Sequence, residues 1–125
     1  MAIRCGVDVA EINRVEQILD EYGDHFKKRF FSEYEAKYSN EKFNSAEAYA
    51  GLWAAKEAVF KVLGKGKRWN DVFIDHEPNG RPVVHVDQSL LELPYVPIST
   101  EAQWDCSITH DANSAIAVAV CQWNP

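Results

Sequence analysis

The chain has 125 residues, of which 46% are hydrophobic and 12% aromatic, and its formal net charge is −6. This length supports one compact core and is too short for two ordinary domains, so we expect a single domain over residues 1–125. The acidic balance argues against a general nucleic-acid binder, which needs basic surface to neutralise phosphates. No stretch approaches the roughly eighteen apolar residues of a membrane span and no signal peptide is apparent, so we expect a cytoplasmic protein without membrane contact.

The N-terminal third predicts a strand followed by helices. Larger apolar residues alternate with small or polar ones over residues 2–9, which predicts a strand with Asp8 near its C-terminal end. A helix is predicted from Glu11 to the stop at Gly23, because apolar residues recur there at helical spacing. Ser32 and Glu35 have the spacing of a capping box, which predicts a short helix over Glu33–Tyr38.

The strongest helical pattern in the chain covers Ser45–Leu63, which is rich in alanine. Asn44 and Glu47 form a second possible capping box before this helix, and Gly64 provides a C-terminal stop. Its apolar stripe and its polar stripe lie on roughly opposite sides of the helix. The apolar stripe contains Leu52, Ala55, Val59 and Val62, and the other contains Trp53, Glu57 and Lys61.

The C-terminal half predicts strands. Segments 72–74 and 82–86 flank the turn sequence Pro78-Asn79-Gly80, a short helix is possible over 88–93, and segments 104–109 and 115–121 suggest a closing hairpin. One strand, then helices, then several strands indicates an α+β domain in which a long central helix packs on an antiparallel sheet.

The three cysteines form no recognisable metal-binding or disulfide pattern. They are odd in number and have neither a CxxC nor a Cys/His ligand spacing. We therefore expect Cys5, Cys106 and Cys121 to be buried thiols.

Charged residues near the long helix are ambiguous when each is taken alone. Glu57 and Lys61 can be an ordinary surface pair worth about 0.2–0.5 kcal/mol. Gly64 can be a simple helix stop, and Asp8 can begin a turn. Basic residues form two clusters that can meet an anion, although solvated surface is the simpler explanation for the first. The first contains Lys27, Lys28 and Arg29, and the second Lys56, Lys61, Lys65, Lys67 and Arg68.

Three segments together are more specific than any single residue. They are residues 6–14 (GVDVAEINR), 53–64 (WAAKEAVFKVLG) and 107–110 (SITH), with support from 29–32 (RFFS) and 79–82 (NGRP). In order and spacing the chain resembles the holo-acyl-carrier-protein synthases, the short single-domain type of 4'-phosphopantetheinyl transferase. The resemblance implies transfer of phosphopantetheine from coenzyme A to a serine of an apo acyl carrier protein, with release of 3',5'-ADP.

The resemblance also implies roles for individual residues. Asp8 and Glu57 are the implied Mg²⁺ ligands, which suits a hard cation that prefers carboxylate oxygen beside a pyrophosphate. Lys61 would steady phosphate charge, and the base that takes the serine proton stays open between a metal-bound hydroxide and a carboxylate such as Glu57. The implied catalytic group is Asp8, Glu57, Lys61 and His110. The implied coenzyme contacts are Lys61, Gly64, Lys65, Gly66, Thr109 and His110.

The family likeness implies two kinds of protein contact. The carrier protein would meet Arg14 and Arg29, with apolar contact from Ile18 and Tyr22, although Ile18 can equally be a core residue. The family's usual assembly implies a homotrimer with sites at subunit interfaces. The sequence leaves open whether the carrier serves fatty-acid synthesis, polyketide assembly or another pathway.

Two positions depart from the family pattern. Leu52 stands where many members have an arginine associated with coenzyme binding, and Asp111 stands where threonine is frequent. A leucine cannot replace that charge, and a carboxylate near a pyrophosphate weakens binding unless it faces water or helps to hold metal. A catalytically silent module that binds coenzyme A or a carrier is therefore an alternative. A magnesium-dependent hydrolase is a third hypothesis.

Overall fold

The computed structural model describes residues 1–64 and 68–125 and has the predicted α+β architecture. No helix within these ranges is long and apolar enough to cross a membrane. A single 3-10 turn over Trp69–Asp71 leads into the second strand. The main elements are β1 (Ala2–Glu11), α1 (Ile12–Tyr22), α2 (Asp24–Phe30), α3 (Glu33–Asn40), α4 (Ser45–Leu63), β2 (Val72–His76), β3 (Pro82–Val86), α5 (Gln88–Leu91), β4 (Gln103–Asp111) and β5 (Ser114–Trp123).

The main sheet has three antiparallel strands in the order β1-β5-β4, and β2 and β3 form a separate hairpin. Helix α4 packs across one face of the main sheet, as predicted. The residues that β5 directs toward α4 are small or thiol-bearing, so the helix can lie close to the sheet. They are Ala115, Ala117, Ala119 and Cys121, all buried.

Gly6 marks the closest approach of strand β1 to helix α4. A Cβ atom at this position would stand 2.2 Å from the carbonyl oxygen of Ala58, closer than any side chain allows. Glycine at this position therefore lets the strand press on the helix backbone. The same approach places Asp8, two residues later on the same face of β1, beside the C-terminal half of α4.

The sequence did not predict helix α2. It indicated only a basic cluster of Lys27, Lys28 and Arg29 in this segment. Gly23, with a φ of 51°, ends α1 and allows a new helix to begin at once. Phe26 anchors this short helix in the core, and the basic side chains follow it on its outer surface.

Several other predicted boundaries shift by one or two residues. Strand β1 continues to Glu11, because Glu11 still pairs with Ser114, so α1 begins at Ile12. Helix α3 extends to Asn40, since Ser39 is buried against the core, and α5 ends at Leu91. Both hydrogen bonds of the capping box are present at α3. At α4 the Asn44 side chain accepts from the Glu47 N–H, but the Glu47 side chain makes no reciprocal bond.

A buried ion pair joins α3 to α4. The Nζ atom of Lys56 lies 2.8 Å from Oε1 of Glu35, and both side chains are fully buried. Lys56 also donates to the Phe30 carbonyl, and Glu35 accepts from the backbone N–H groups of Ser32 and Ile74. Burial lowers the pKa of Lys56, and the adjacent Glu35 carboxylate opposes that fall. Lys56 therefore holds the core together and does not belong to the anion-facing cluster suggested by the sequence.

The outer face of the main sheet, which we define as the face turned away from α4, is apolar and exposed. On β1 it presents Ile3, Val7 and Val9, which are 64%, 54% and 59% exposed. Val118 and Val120 of β5 continue it. The apolar side chains that predicted β1 thus point outward, because small residues occupy the face that meets α4.

The prediction of three buried thiols is wrong for one of them. Cys5 lies on the outer face of the sheet and is exposed, whereas Cys106 and Cys121 are buried. Burial raises the pKa of each of these two thiols to about 11.

Candidate functional site

Asp8 and Lys61 meet where β1 crosses the C-terminal half of α4. The Lys61 Nζ atom donates to Asp8 Oδ1 at 3.1 Å and to the Val7 carbonyl at 2.8 Å. The Asp8 side chain is 19% exposed and that of Lys61 is 54% exposed, so the pair lies at an edge accessible to solvent. The structure thus brings together two of the residues that the resemblance implied.

Glu57 lies one helical turn before Lys61 on the same side of α4 and is partly exposed. The contact of Gly6 with the Ala58 carbonyl places this part of the helix against β1. We call Asp8 and Lys61, which are in contact, together with Glu57, one turn away on α4, the β1 edge site. It contains two carboxylates and one ammonium group.

The β1 edge site fits a hard divalent cation. Two carboxylates supply the oxygen donors that Mg²⁺ prefers, and Mg²⁺ commonly binds through one or two carboxylates plus waters and substrate phosphates. Within residues 1–64 and 68–125, no group of three or more His, Cys, Asp or Glu side chains is arranged to hold a metal. A cation bound here would thus take its remaining ligands from water or from a bound phosphate.

His110 lies at the opposite edge of the main sheet, near the end of β4. Its Nδ1 atom is 3.7 Å from Oε1 of Glu47 in the first turn of α4. One turn further along α4, a Cβ atom at Gly51 would stand 3.1 Å from the Nε2 atom of the same ring. The imidazole therefore lies against the N-terminal half of the helix whose C-terminal half meets Asp8.

The β1 edge site and His110 do not meet within one chain. Asp8 pairs with Ala117 of β5, which pairs in turn with Ile108 of β4, so a whole strand separates the two edges. Neighbouring strands are about 4.8 Å apart, which places the backbones of β1 and β4 about 10 Å from each other. Helix α4 also lies across the sheet between the two groups.

The remaining implied coenzyme contacts are scattered. Thr109 is exposed and points to the outer face of the sheet, because successive strand residues face opposite sides. Gly64 is exposed and ends α4 with a φ of 99°, its N–H donating to the Phe60 carbonyl at 2.9 Å. The implied contacts Lys65 and Gly66 lie outside the described residues. Asp111 is exposed on the outer face, away from His110, so its carboxylate faces water.

Two cavities meet at His110. The smaller has a volume of about 170 Å³, and its walls include Gly51, Leu52 and His110. The larger, of about 520 Å³, includes Lys42, Glu47 and again His110. Leu52 lines the smaller cavity, on the side of α4 away from Glu57, as its helical position predicted.

Tyr38 and His76 form an aromatic wall of the smaller cavity that the sequence did not reveal. Their rings are stacked with centroids 3.8 Å apart, and the hydroxyl of Tyr34 lies 3.2 Å from Nδ1 of His76. Burial lowers the pKa of His76. Lys42 lies over the Tyr38 ring at 4.6 Å. No local motif marks these residues, because α3 and β2 meet only in the folded chain.

The implied carrier-binding residues lie on α1 and α2. Arg14, Tyr22 and Arg29 are exposed, whereas Ile18 is partly buried against the core. Asn113, in the turn after β4, fixes the start of α1, because its carbonyl accepts from the N–H of Ile12 and its side chain accepts from the next N–H, both at 2.8 Å. The turn that follows His110 thus also positions the helix that carries Arg14.

Known proteins resemble this chain over almost its whole length. The family model described as the 4'-phosphopantetheinyl transferase superfamily matches residues 4–121. A holo-[acyl-carrier-protein] synthase of Ruegeria sp. (strain TM1040) is 36% identical over 133 aligned positions, covering 100% of this chain and 92% of the relative. The corresponding protein of Chlorobium limicola is 36% identical, covering 96% of this chain and 94% of the relative.

Solved structures have the same fold. The Helicobacter pylori holo-[acyl-carrier-protein] synthase, in complex with coenzyme A, is 29% identical with a TM-score of 0.81, covering 95% of this chain and 100% of that one. A Bacillus anthracis synthase, solved with CoA (3',5'-ADP), is 28% identical with a TM-score of 0.73, covering 94% of this chain and 93% of that one. By sequence and by fold, this chain belongs to the 4'-phosphopantetheinyl transferase superfamily and is related to its holo-[acyl-carrier-protein] synthases.

Proposed function

We propose that this chain transfers 4'-phosphopantetheine from coenzyme A to a serine of an apo acyl carrier protein and releases 3',5'-ADP. The observation that carries the proposal is the β1 edge site, where Asp8 and Lys61 are in contact and Glu57 lies one turn away. Family membership and the synthase names of the relatives support it. Residues 1–125 would act as one domain, since the buried core forms a single cluster. The cytoplasmic location stays a prediction.

In this proposal Asp8 and Glu57 would hold Mg²⁺. The cation, when bound, offsets charge on the pyrophosphate and on the leaving 3',5'-ADP. The carrier's serine oxygen bonds to the β-phosphorus while the bond from that phosphorus to the ADP oxygen breaks. The serine proton passes to a base, for which Glu57 is the chain's own candidate. Lys61, whose side chain is half exposed, can turn from Asp8 to a phosphate oxygen.

A second copy of the chain would complete the site, and we propose the homotrimer as its form. Asp8 and His110 lie at opposite edges of one sheet with α4 across it, so a coenzyme lying between two subunits would contact Asp8 of one and His110 of the other. The exposed apolar outer face offers the surface for such packing, because apolar patches of this kind mark interfaces. A groove of about 700 Å³ on this face is lined partly by Val118 and Val120.

Coenzyme binding would then draw on the β1 edge site of one subunit and His110 of its neighbour. His110 can donate to a phosphate, and Thr109, Gly64, Lys65 and Gly66 remain proposed contacts. The apolar Leu52 lies in the wall beside His110 and contributes no charge there. With leucine at position 52, coenzyme should bind more weakly than with arginine, while the β1 edge site stays intact.

The carrier protein would dock on α1 and α2. Arg14 and Arg29 offer local positive charge on a chain whose net charge is −6, which an acidic carrier needs for a favourable encounter. Tyr22, 54% exposed, can add apolar contact. Ile18 packs partly into the core, so its contribution would be limited to its exposed edge.

The test is incubation of the purified chain with coenzyme A, Mg²⁺ and an apo acyl carrier protein, followed by intact-mass analysis of the carrier. We expect a gain of one phosphopantetheine, lost when a chelator is added or when Glu57→Gln replaces the native chain. Binding of coenzyme without any 3',5'-ADP release would instead identify a silent binding module. Release of 3',5'-ADP in the absence of carrier would identify a hydrolase.

A further inference from the structure

We propose that Glu47 and Gly51 are positioning residues that hold the His110 imidazole against α4, in the wall of the smaller cavity. The inference rests on the proposed function, in which His110 contacts the coenzyme. Glu47 and Gly51 are four residues apart on α4 and therefore lie on the same side of the helix. Both meet the same ring of β4, at Nδ1 and at Nε2 respectively.

Gly51 lowers the stability of α4, so its presence needs a reason other than helix formation. A glycine inside a helix destabilises it by comparison with alanine, and Gly51 lies well inside α4. Its value lies in the space beside the ring. A Cβ atom here would stand 3.1 Å from His110 Nε2 and 3.1 Å from Ile108 Cγ2, which is too close unless the ring moves. Glycine thus lets the Nε2 edge of the ring pack on the helix backbone, in the wall of the smaller cavity.

Glu47 is free to face His110 because it does not complete the capping box. The Asn44 side chain accepts from the Glu47 backbone N–H at 3.1 Å, but the Glu47 carboxylate makes no return bond to Asn44. The carboxylate lies instead 3.7 Å from Nδ1 of His110. A carboxylate beside this nitrogen can fix the orientation of the ring.

The other polar groups around the ring do not duplicate this contact. Lys42 of the α3–α4 loop, Tyr38 of α3 and His76 of β2 line the cavities that His110 shares. None of these three carries a carboxylate. Asp111, the next residue of β4, points to the opposite face of the sheet.

Three substitutions test the role. Glu47→Ala should raise the KM for coenzyme A about two- to fivefold with little change in kcat, the size expected for a partly exposed charge pair. Glu47→Gln keeps a polar group near Nδ1 and should recover part of this loss. Gly51→Ala should raise KM as well, because its Cβ atom displaces the ring. The better helix propensity of alanine should offset part of the crowding in the melting temperature, so the variant stays folded. Glu101→Ala, in an exposed loop, is the matched control for loss of one negative charge.

A double-mutant cycle separates this inference from the proposed function. If Glu47 acts through His110, Glu47→Ala has no further effect on KM in a His110→Ala background. An equal effect of Glu47→Ala with and without His110 overturns the positioning role, as does an unchanged KM in Glu47→Ala. An unchanged KM in His110→Ala alone would instead remove His110 from the proposed coenzyme site.

Discussion

The Asp8 carboxylate accepts a hydrogen bond from Lys61 at 3.1 Å, although 53 positions separate the two residues along the chain. The contact depends on Gly6, since any larger residue would hold β1 away from α4. Strand, glycine and helix thus act together to bring a carboxylate and an ammonium group to one edge.

The first prediction concerns Lys61. Lys61→Met keeps most of the side-chain length and removes the charge, so turnover should fall about 100-fold or more if the ammonium group stabilises phosphate charge in the transition state. The measurement is single-turnover release of 3',5'-ADP. Lys37→Met, an exposed substitution on α3 away from the proposed carrier surface, is the matched control. Native turnover in Lys61→Met would show that Lys61 only tethers Asp8.

Local sequence patterns predicted the elements that carry most of this site. Helix α4 was recognisable from its alanine content and its caps, and the closing hairpin from two apolar runs around a polar turn. These features depend on neighbours along the chain. They were therefore sufficient to place Glu57 and Lys61 on one side of α4.

Relationships between distant segments were not predictable in this way. The alternation in β1 indicates a strand but does not say which face meets α4, and here the smaller residues do. The stacking of Tyr38 on His76 beside His110 joins α3, β2 and β4, and no spacing rule connects them. Lys56 was grouped with exposed basic residues because its partner Glu35 belongs to another helix.

The second prediction concerns the buried ion pair. Lys56→Met should lower the free energy of unfolding by about 3–5 kcal/mol, because it leaves the Glu35 carboxylate buried without its cation. Urea unfolding measures the loss. The double variant Lys56→Met with Glu35→Gln should recover part of it, since no buried charge remains. A loss below about 1 kcal/mol in the single variant would contradict the burial of this pair.

The third prediction is a loss of stability at alkaline pH. The pKa values of Cys106 and Cys121 are raised to about 11 in the fold from an ordinary value of 9.0. Folding thus favours their protonated forms, and this contribution is complete below pH 9 and disappears as pH rises toward 11. The free energy of unfolding should fall by up to about 1.4 kcal/mol per pH unit per thiol in that window.

Urea unfolding at several pH values between 8 and 11 measures this slope. The variant Cys106→Ala with Cys121→Ala should show a smaller slope than the native chain. Lys56 acts in the opposite direction, because its lowered pKa makes stability rise with pH. An identical slope with and without the two thiols would show that they do not cause the loss of stability at alkaline pH.

The fourth prediction concerns the turn between β4 and β5. Ala112 has a φ of 51°, a left-handed conformation that costs a non-glycine residue roughly 1–2 kcal/mol. Ala112→Gly should relieve this strain and, after the extra chain entropy of glycine, stabilise the protein by about 0.5–1 kcal/mol. Thermal unfolding detects the gain. The same substitution inside α4, Ala48→Gly, should instead lower the melting temperature.

The fifth prediction follows from the separation of Asp8 and His110 within one chain. If each site combines the β1 edge of one subunit with the β4 edge of another, two defective variants can restore each other. Asp8→Asn has an intact His110 edge, and His110→Ala has an intact Asp8 edge. A mixed assembly should therefore contain some interfaces at which both edges are native.

The experiment mixes the two variants under conditions that allow subunit exchange and measures transfer at a coenzyme concentration well below the KM of His110→Ala. Activity above the sum of the separate variants is expected, and it should disappear when the oligomer is prevented from exchanging. A double variant with both substitutions in one chain, mixed with Asp8→Asn, is the control, because no interface in that mixture has two native edges. Activity that never exceeds the sum, in an oligomer shown by light scattering to exchange, would place the complete site within one subunit and assign the apolar outer face to assembly alone.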